Sequence, residues 1–298
     1  TDSVFFTFNL KNYETGENIR GKDALAITIE LAQEAGDLAT KFLKAPHDLE
    51  YEKTFMPFCL LSKKRYVGML YETDVDKCKC KSMGIVLKRR DNAPVVKEIY
   101  GGIIDILMKD KDIQKSLLFL DKSLEEILQG KCGFDKFLIT KSLRSGYKNP
   151  QQIAHKVLAD RMGQRDPGNK PGPGDRIPYA YIISKTKSKL QGDKIESPSY
   201  ILENKLRIDY AHYITNQIMK PILQIYSLVL FDLPALKTKI TWKRKINKEI
   251  EIAKNTLSAD SFRKKEEQIK NKVVQKILFD RFIVESNMDT KSITSFFT

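Results

Sequence analysis

LEYEKTFMPFCLLSKKRYVGMLY, residues 49–71, carries the pattern on which the fold turns. Residues 49–53, 58–62 and 66–71 are three short β-prone runs, separated by only a few residues. Connections that short reverse the chain, so the window predicts adjacent antiparallel strands. In a strand, Glu50 and Glu52 would share a face, because side chains alternate with period two. Two carboxylates on one face suit a hard cation such as magnesium, which takes oxygen ligands. They equally suit ion pairs with Lys53 or Arg65. At the bend, Lys63, Lys64 and Arg65 lead into Tyr66, a cationic cluster beside an aromatic ring. Such a tip binds phosphates or a groove edge, or is simply a solvated charged surface.

Upstream, residues 3–10 are rich in Val and Phe and predict a strand, with a turn at 12–16. Ala24, Leu25, Leu31, Ala32, Ala35, Leu38, Ala39, Phe42 and Leu43 then recur at three- and four-residue steps and end before Pro46, the stripe of an amphipathic helix that covers a sheet. Asp2 stands just ahead of the first apolar run, as a metal ligand or as a cap or turn residue. The chain opens at Thr1 without an initiator methionine, and we expect residues upstream of it.

Downstream the period becomes helical, over 94–107, 113–128 and 149–162, the last behind an Asn149 cap with Pro150 at the first helical position. Residues 164–174 hold three Gly and three Pro and predict a loop, followed by a strand over 176–183. Residues 209–230 predict a helix kinked or bounded at Pro221. Residues 258–284 predict one basic helix with a seam of Ile269, Val273, Ile277 and Phe282. A second cluster, Lys88-Arg89-Arg90-Asp91, precedes the helix at Pro94, whose free amides favour anions. A lysine-rich run with Trp242 fills 237–248, either solvated or phosphate-binding. The expected class is α+β, an antiparallel sheet with a covering helix followed by a mostly helical region.

The chain has 298 residues, 41% hydrophobic and 30% charged, enough to bury a core as two domains or subdomains. Its net charge of +14 calls for a polyanionic partner, nucleic acid before an acidic membrane surface. The longest apolar stretch, 222–231, contains Gln224, Tyr226 and Ser227 and is too short and polar to span a bilayer, so no membrane partner is expected. Cys59, Cys78, Cys80 and Cys132 lack a second pair at zinc spacing, and we expect reduced thiols in an intracellular compartment.

Several of these segments form a set. TDSVFF at 1–6 resembles the end of the YGDTDS signature of family B DNA polymerases, without the preceding Tyr-Gly-Asp. LEYEK at 49–53, KKRYVG at 63–68, KRRD at 88–91, NPQQIAHKVLADRM at 149–162 and PGDRIPYAYI at 173–182 follow in the order and at about the spacing of the delta-like members. The resemblance runs to about residue 230. The lysine-rich end without cysteines resembles polymerases of large DNA viruses.

The resemblance implies the C-terminal part of a DNA-directed DNA polymerase, with the palm at 1–91, the thumb at 92–235, a basic helical extension at 236–289 and a tail at 290–298. It implies that Asp2 is catalytic, a ligand of two Mg2+ ions shared with upstream residues, and that Glu52 holds a further metal near the primer end. Lys63, Lys64, Arg65 and Tyr66 would follow the primer-template minor groove, whose acceptors are alike for every correct pair, and Arg89 and Arg90 would hold primer phosphates. The implied partners are primer-template DNA, dNTP, the upstream polymerase segment and a sliding clamp, in the host nucleus or a cytoplasmic viral replication site. Without the upstream part, no activity is expected.

Ile293, Phe296 and Phe297 stand at i, i+3 and i+4, on one face of a helical turn. They resemble the clamp-binding peptide of replication proteins, with Thr290 where that peptide prefers Gln. Thr1, inside the catalytic signature, would be an intein junction or the edge of a split gene, its hydroxyl the nucleophile that splicing needs. A reading of a different class is a non-catalytic DNA-binding or clamp-tethering subunit with a polymerase-like fold.

Overall fold

The computed structural model describes residues 3–88, 91–184 and 190–288. It is a mixed α and β structure in two compact units, one running to Ile85 and the other beginning at Val86.

In the first unit, residues 3–10 carry no regular secondary structure, so the predicted strand there is absent. Only a bridge between Lys11 and Asn18 follows them. It closes a turn in which Asn12 Oδ1 accepts from the Glu14 and Thr15 amides at 2.8 and 3.1 Å. Helix α1, Gly21–Thr40, buries Leu25, Ile29, Ala32 and Gly36. That stripe is rotated from the predicted one, and Leu38, Phe42 and Leu43 are exposed. Strands β1 (Thr54–Ser62), β2 (Arg65–Tyr71) and β3 (Cys78–Met83) form one antiparallel sheet in that order. Helix α1 packs on β1.

The central strand β2 buries Val67 through Leu70 consecutively, because it has a strand on each side and both faces are covered. Gly68 is in the middle of it. A Cβ there would lie 2.8 Å from the Pro57 carbonyl oxygen and 2.9 Å from the Phe55 ring, where β1 bulges between Phe55 and Phe58. Only glycine lets the bulged strand approach so closely.

The predicted strand over 49–53 is absent, since its backbone bonds elsewhere. Thr40 Oγ1 accepts from the Leu49 amide at 2.9 Å, and the Tyr51 hydroxyl donates to the Glu72 carbonyl oxygen at 2.5 Å. The segment crosses α1 at Gly36, where a Cβ would lie 2.8 Å from the Leu49 oxygen.

In the second unit, α2 (Pro94–Asp105) runs into a π-helical turn at Ile106–Asp110 and ends at Lys111 in the left-handed conformation. Helix α3 (Ile113–Leu128) has the bounds its periodicity predicts, and Asp112 caps it by accepting from the Lys115 amide at 2.9 Å. Strand β4 (Ile139–Ser142) pairs with β5 (Arg176–Tyr181), and β5 pairs with the two-residue β6 (Ile195–Glu196), a second antiparallel sheet of which the sequence showed only β5.

Between them lies α4 (Ala154–Arg165), which starts later than predicted. Pro150–Gln152 is a separate 3-10 turn, and the Asn149 side chain forms no cap. Helix α5 is Pro198–Glu203.

Residues 210–226 are helical throughout, as α6 (Tyr210–His212), a π-helical stretch (Tyr213–Ile218) and α7 (Met219–Tyr226). The helix passes through Pro221, and the widened turns just before it take up the irregularity. After α8 (Pro234–Lys237) and α9 (Ile240–Thr256), the predicted single basic helix is two, α10 (Ala259–Leu278) and α11 (Asp280–Met288), broken at Phe279. The buried seam is Ile269, Val274, Leu278, Phe279 and Phe282, so Val273 gives way to Val274 and Ile277 to Leu278.

The core of this unit gathers Tyr100, Leu120, Leu124, Tyr213 and Tyr226. Two of its tyrosine hydroxyls are tied down: Tyr226 donates to Ser116 Oγ at 2.9 Å, and Tyr213 donates to the Phe137 carbonyl oxygen at 2.6 Å while accepting from the Tyr181 amide at 3.0 Å. Burial pushes both phenols well above the usual tyrosine range, so they stay neutral donors.

Candidate nucleic-acid interface

The β1–β2 hairpin presents its cations on a two-residue turn. Ser62 pairs with Arg65, leaving Lys63 and Lys64 exposed at the tip. Lys64 has φ of 62°, a left-handed conformation that costs a residue with a Cβ about 1 kcal/mol. The chain after β3 braces this turn: Gly84, itself at φ of 62°, lies so close that a Cβ would be 2.3 Å from the Lys64 carbonyl oxygen. The tip is therefore held in one shape, with two ammonium groups in solvent and Arg65 half-buried at its base.

Behind the tip is an aromatic cluster. Tyr66 lies 5.6 Å from Phe58 and 5.7 Å from Phe55, centroid to centroid. Phe5, from the N-terminal segment, completes it at 5.4 Å from both Tyr66 and Phe58 and 6.0 Å from Phe55. Phe5 nevertheless remains 55% exposed. The structure thus brings the segment beginning at Ser3 onto the basic hairpin, although the two are some sixty residues apart in sequence. The sequence did not single out Phe5, because one of three phenylalanines in an apolar run gives no indication of its partner.

The acidic candidates are less close. Glu52 is exposed and ion-paired with Lys53. It lies at the Thr54–Tyr71 end of the hairpin, the other end from the Lys63–Lys64 turn. At the rise of an extended strand the two ends of β1 are on the order of 25 Å apart. Glu50 is also exposed. Among the described residues no three His, Cys, Asp or Glu side chains gather to hold a metal. These residues do not form a magnesium site by themselves. Thr1, Asp2, Arg89, Arg90, Ile293, Phe296 and Phe297 lie outside the described residues. No helix among the described residues is long and apolar enough to cross a membrane.

The second unit contains a buried ionic node. Glu196, 3% exposed, accepts from both Arg165 Nη atoms at 3.1 Å, and Arg161 Nη2 stands 3.6 Å away. Arg161 also donates to the Gly192 and Ile195 carbonyl oxygens at 2.8 and 2.6 Å. Arg165 lies over the Tyr200 ring at 3.5 Å. The bidentate geometry ties α4 to β6 and α5. The NPQQIAHKVLADRM segment contributes to it through Arg161, so this part of the motif has a structural duty.

A sheet with a basic, braced hairpin, joined to a helical unit, is the context in which the comparisons with known proteins fall. Residues 1–229 match DNA polymerase family B, and the chain belongs to that family. It is 50% identical to a DNA polymerase of Pyramimonas orientalis virus over 307 aligned positions, covering 100% of this chain and 25% of that protein. A DNA polymerase of Acanthamoeba polyphaga mimivirus is 49% identical over 77% of the chain and 13% of its own length. The DNA polymerase delta catalytic subunit of Caenorhabditis elegans is 35% identical over 78% of the chain and 20% of its own length. The chain thus spans a quarter or less of these relatives.

Proposed function

We propose that this chain works as part of a DNA-directed DNA polymerase of viral type, extending a primer 3′-hydroxyl with dNTP, with residues 1–91 in the palm and 92–235 in the thumb. The observation that carries the reading is the Lys63–Lys64 tip braced by Gly84 and joined through Tyr66 to Phe5, in a chain of this family. Rigidly presented cations contact phosphates without reading sequence, as a copying enzyme requires. Lys63, Lys64, Arg65 and Tyr66 follow the primer-template behind the reaction centre, and Arg89 and Arg90 hold primer phosphates.

Family B polymerases use magnesium, and in this proposal Asp2 is one ligand, with others supplied by the remainder of the polymerase. Glu52 as a further ligand requires its carboxylate to leave Lys53. The tail residues Ile293, Phe296 and Phe297 bind a sliding clamp.

The test is primer extension by the complete polymerase. Asp2→Asn should abolish incorporation while primer-template affinity stays within about twofold, and normal incorporation would remove Asp2 from the reaction. Deleting residues 293–298 should reduce synthesis only when the clamp is present. Equal synthesis with and without the tail ends the clamp assignment.

A further inference from the structure

Residues 237–288 carry fourteen Lys and Arg against seven Asp and Glu, half of the chain's net charge of +14, and they lie beyond the residues matched to the family. Within them, 237–248 holds six cations (Lys237, Lys239, Lys243, Arg244, Lys245, Lys248) and no Asp or Glu. Helix α9 packs against α10 through a side that buries Ile246 and Ala253, and α10 packs in turn on α7. At 100° per residue, Arg244 and Lys248 point away from that side and Lys245 flanks it, and all three are exposed. None has a carboxylate partner within 4 Å among the described residues. Trp242, half-buried, has Lys239 at 4.9 Å and Lys276 of α10 at 5.2 Å from its ring.

The neighbouring helix shows what a merely solvated basic surface looks like in this protein. In α10, Glu266 and Glu267 follow Arg263, Lys264 and Lys265, and Lys270 pairs with Glu266 at 2.7 Å across one turn. In α9 the cations are placed against the stability of their own helix. They crowd its N-terminal half, where the dipole is positive, and Arg244 and Lys248 are like charges at i, i+4, which costs a few tenths of a kcal/mol. An anion laid along this face would relieve both costs.

We infer that the exposed face of α9 is a second, sequence-independent binding surface for the phosphates of duplex DNA, distinct from the Lys63–Lys64 hairpin. At 1.5 Å per residue, its seventeen residues run about 25 Å, most of a duplex turn. The inference rests on the polymerase reading only for the choice of DNA among polyanions.

The 298-residue chain contains a single tryptophan, so Trp242 emission reports on this surface directly. Labelled duplexes of two unrelated sequences are titrated across a salt series, comparing the parent with Arg244→Gln/Lys245→Gln/Lys248→Gln. We expect duplex to change Trp242 emission in the parent, and the variant to lower the slope of log K against log salt by roughly 2 to 3, at about 0.9 per phosphate contact, equally for both sequences. If circular dichroism shows the triple variant to have lost helix, Arg244→Gln and Lys248→Gln singly should each lower the slope by about one. Unchanged slopes overturn the inference, as does a parent that binds phosphatidylserine vesicles in preference to duplex. Primer extension is scored separately. A complete polymerase that fails to extend, beside a slope that the variant lowers in this chain, would end the polymerase reading and leave this one standing.

Discussion

The rings of Phe5 and Tyr66 meet edge to face, centroids 5.4 Å apart and planes at 72°, and so pin the N-terminal segment to the basic hairpin. Such pairs contribute about 0.5–1.5 kcal/mol beyond the area they bury. A double-mutant cycle of Phe5→Ala and Tyr66→Ala in urea unfolding should therefore show a coupling energy of about 0.5–1 kcal/mol, toward the low end because Phe5 is half exposed. Additive effects would mean that the two rings are neighbours without cohesion.

Lys64 combines a strained backbone with a candidate phosphate contact, and substitution can separate the two. Lys64→Gly should raise stability by about 0.5–1 kcal/mol, since glycine accepts φ of 62° without penalty. Lys64→Gln should leave stability nearly unchanged. Both should weaken primer-template binding alike across sequences and lower the salt slope by roughly one. A loss confined to one sequence, seen by fluorescence anisotropy, would contradict a phosphate role.

Glu196 is the acceptor on which Arg165 and Arg161 converge. Glu196→Gln leaves two guanidinium groups facing a neutral amide, and because both remain partly open to water the cost should be about 1–2 kcal/mol, below that of a fully buried pair. Chemical denaturation should show that loss in the midpoint. Arg165→Lys should cost less but still measurably, because an ammonium cannot reproduce the paired donors or the stacking on Tyr200. An unchanged midpoint for Glu196→Gln would show that α4 and β6 are held by apolar packing alone.

His212 stacks on Tyr181 with centroids 3.6 Å apart, and Asn216 Nδ2 stands 3.3 Å from its Nδ1, an arrangement that suits a neutral ring. Burial lowers its pKa to about 4. Between the unfolded value near 6.5 and about 4 the unfolded chain binds a proton that the folded chain refuses, so stability falls as pH drops through that window and is unaffected above it. The loss by pH 4 should be on the order of 2 kcal/mol, allowing for partial exposure of the ring. His212→Phe keeps the stacking and should flatten this part of the profile in thermal melts. A profile identical to the parent's would assign the acid sensitivity to other groups.

Local pattern was enough for several elements. The short connection between residues 58–62 and 66–71 marked a hairpin, and the apolar spacing gave α3 its bounds, because both depend on neighbours within a few residues. The break between α10 and α11 was not legible, since the apolar period continues through Phe279 and only packing selects Val274 and Leu278 over Val273 and Ile277. Nor was β6 legible, being two residues long and dependent on β5 to exist.

By itself the sequence determined that this is a basic, mixed α and β chain of a DNA-polymerase type, with its cations clustered at a hairpin and in one later run. Only the tertiary structure decided that LEYEK lies across α1 instead of pairing as a strand, that Glu52 faces solvent beside Lys53, and that Phe5 reaches Tyr66. Those outcomes depend on which distant groups meet. A backbone amide bonds to whichever acceptor the packed chain brings to it, and a carboxylate pairs with whichever cation stands nearest. Spacing along a chain does not encode either choice.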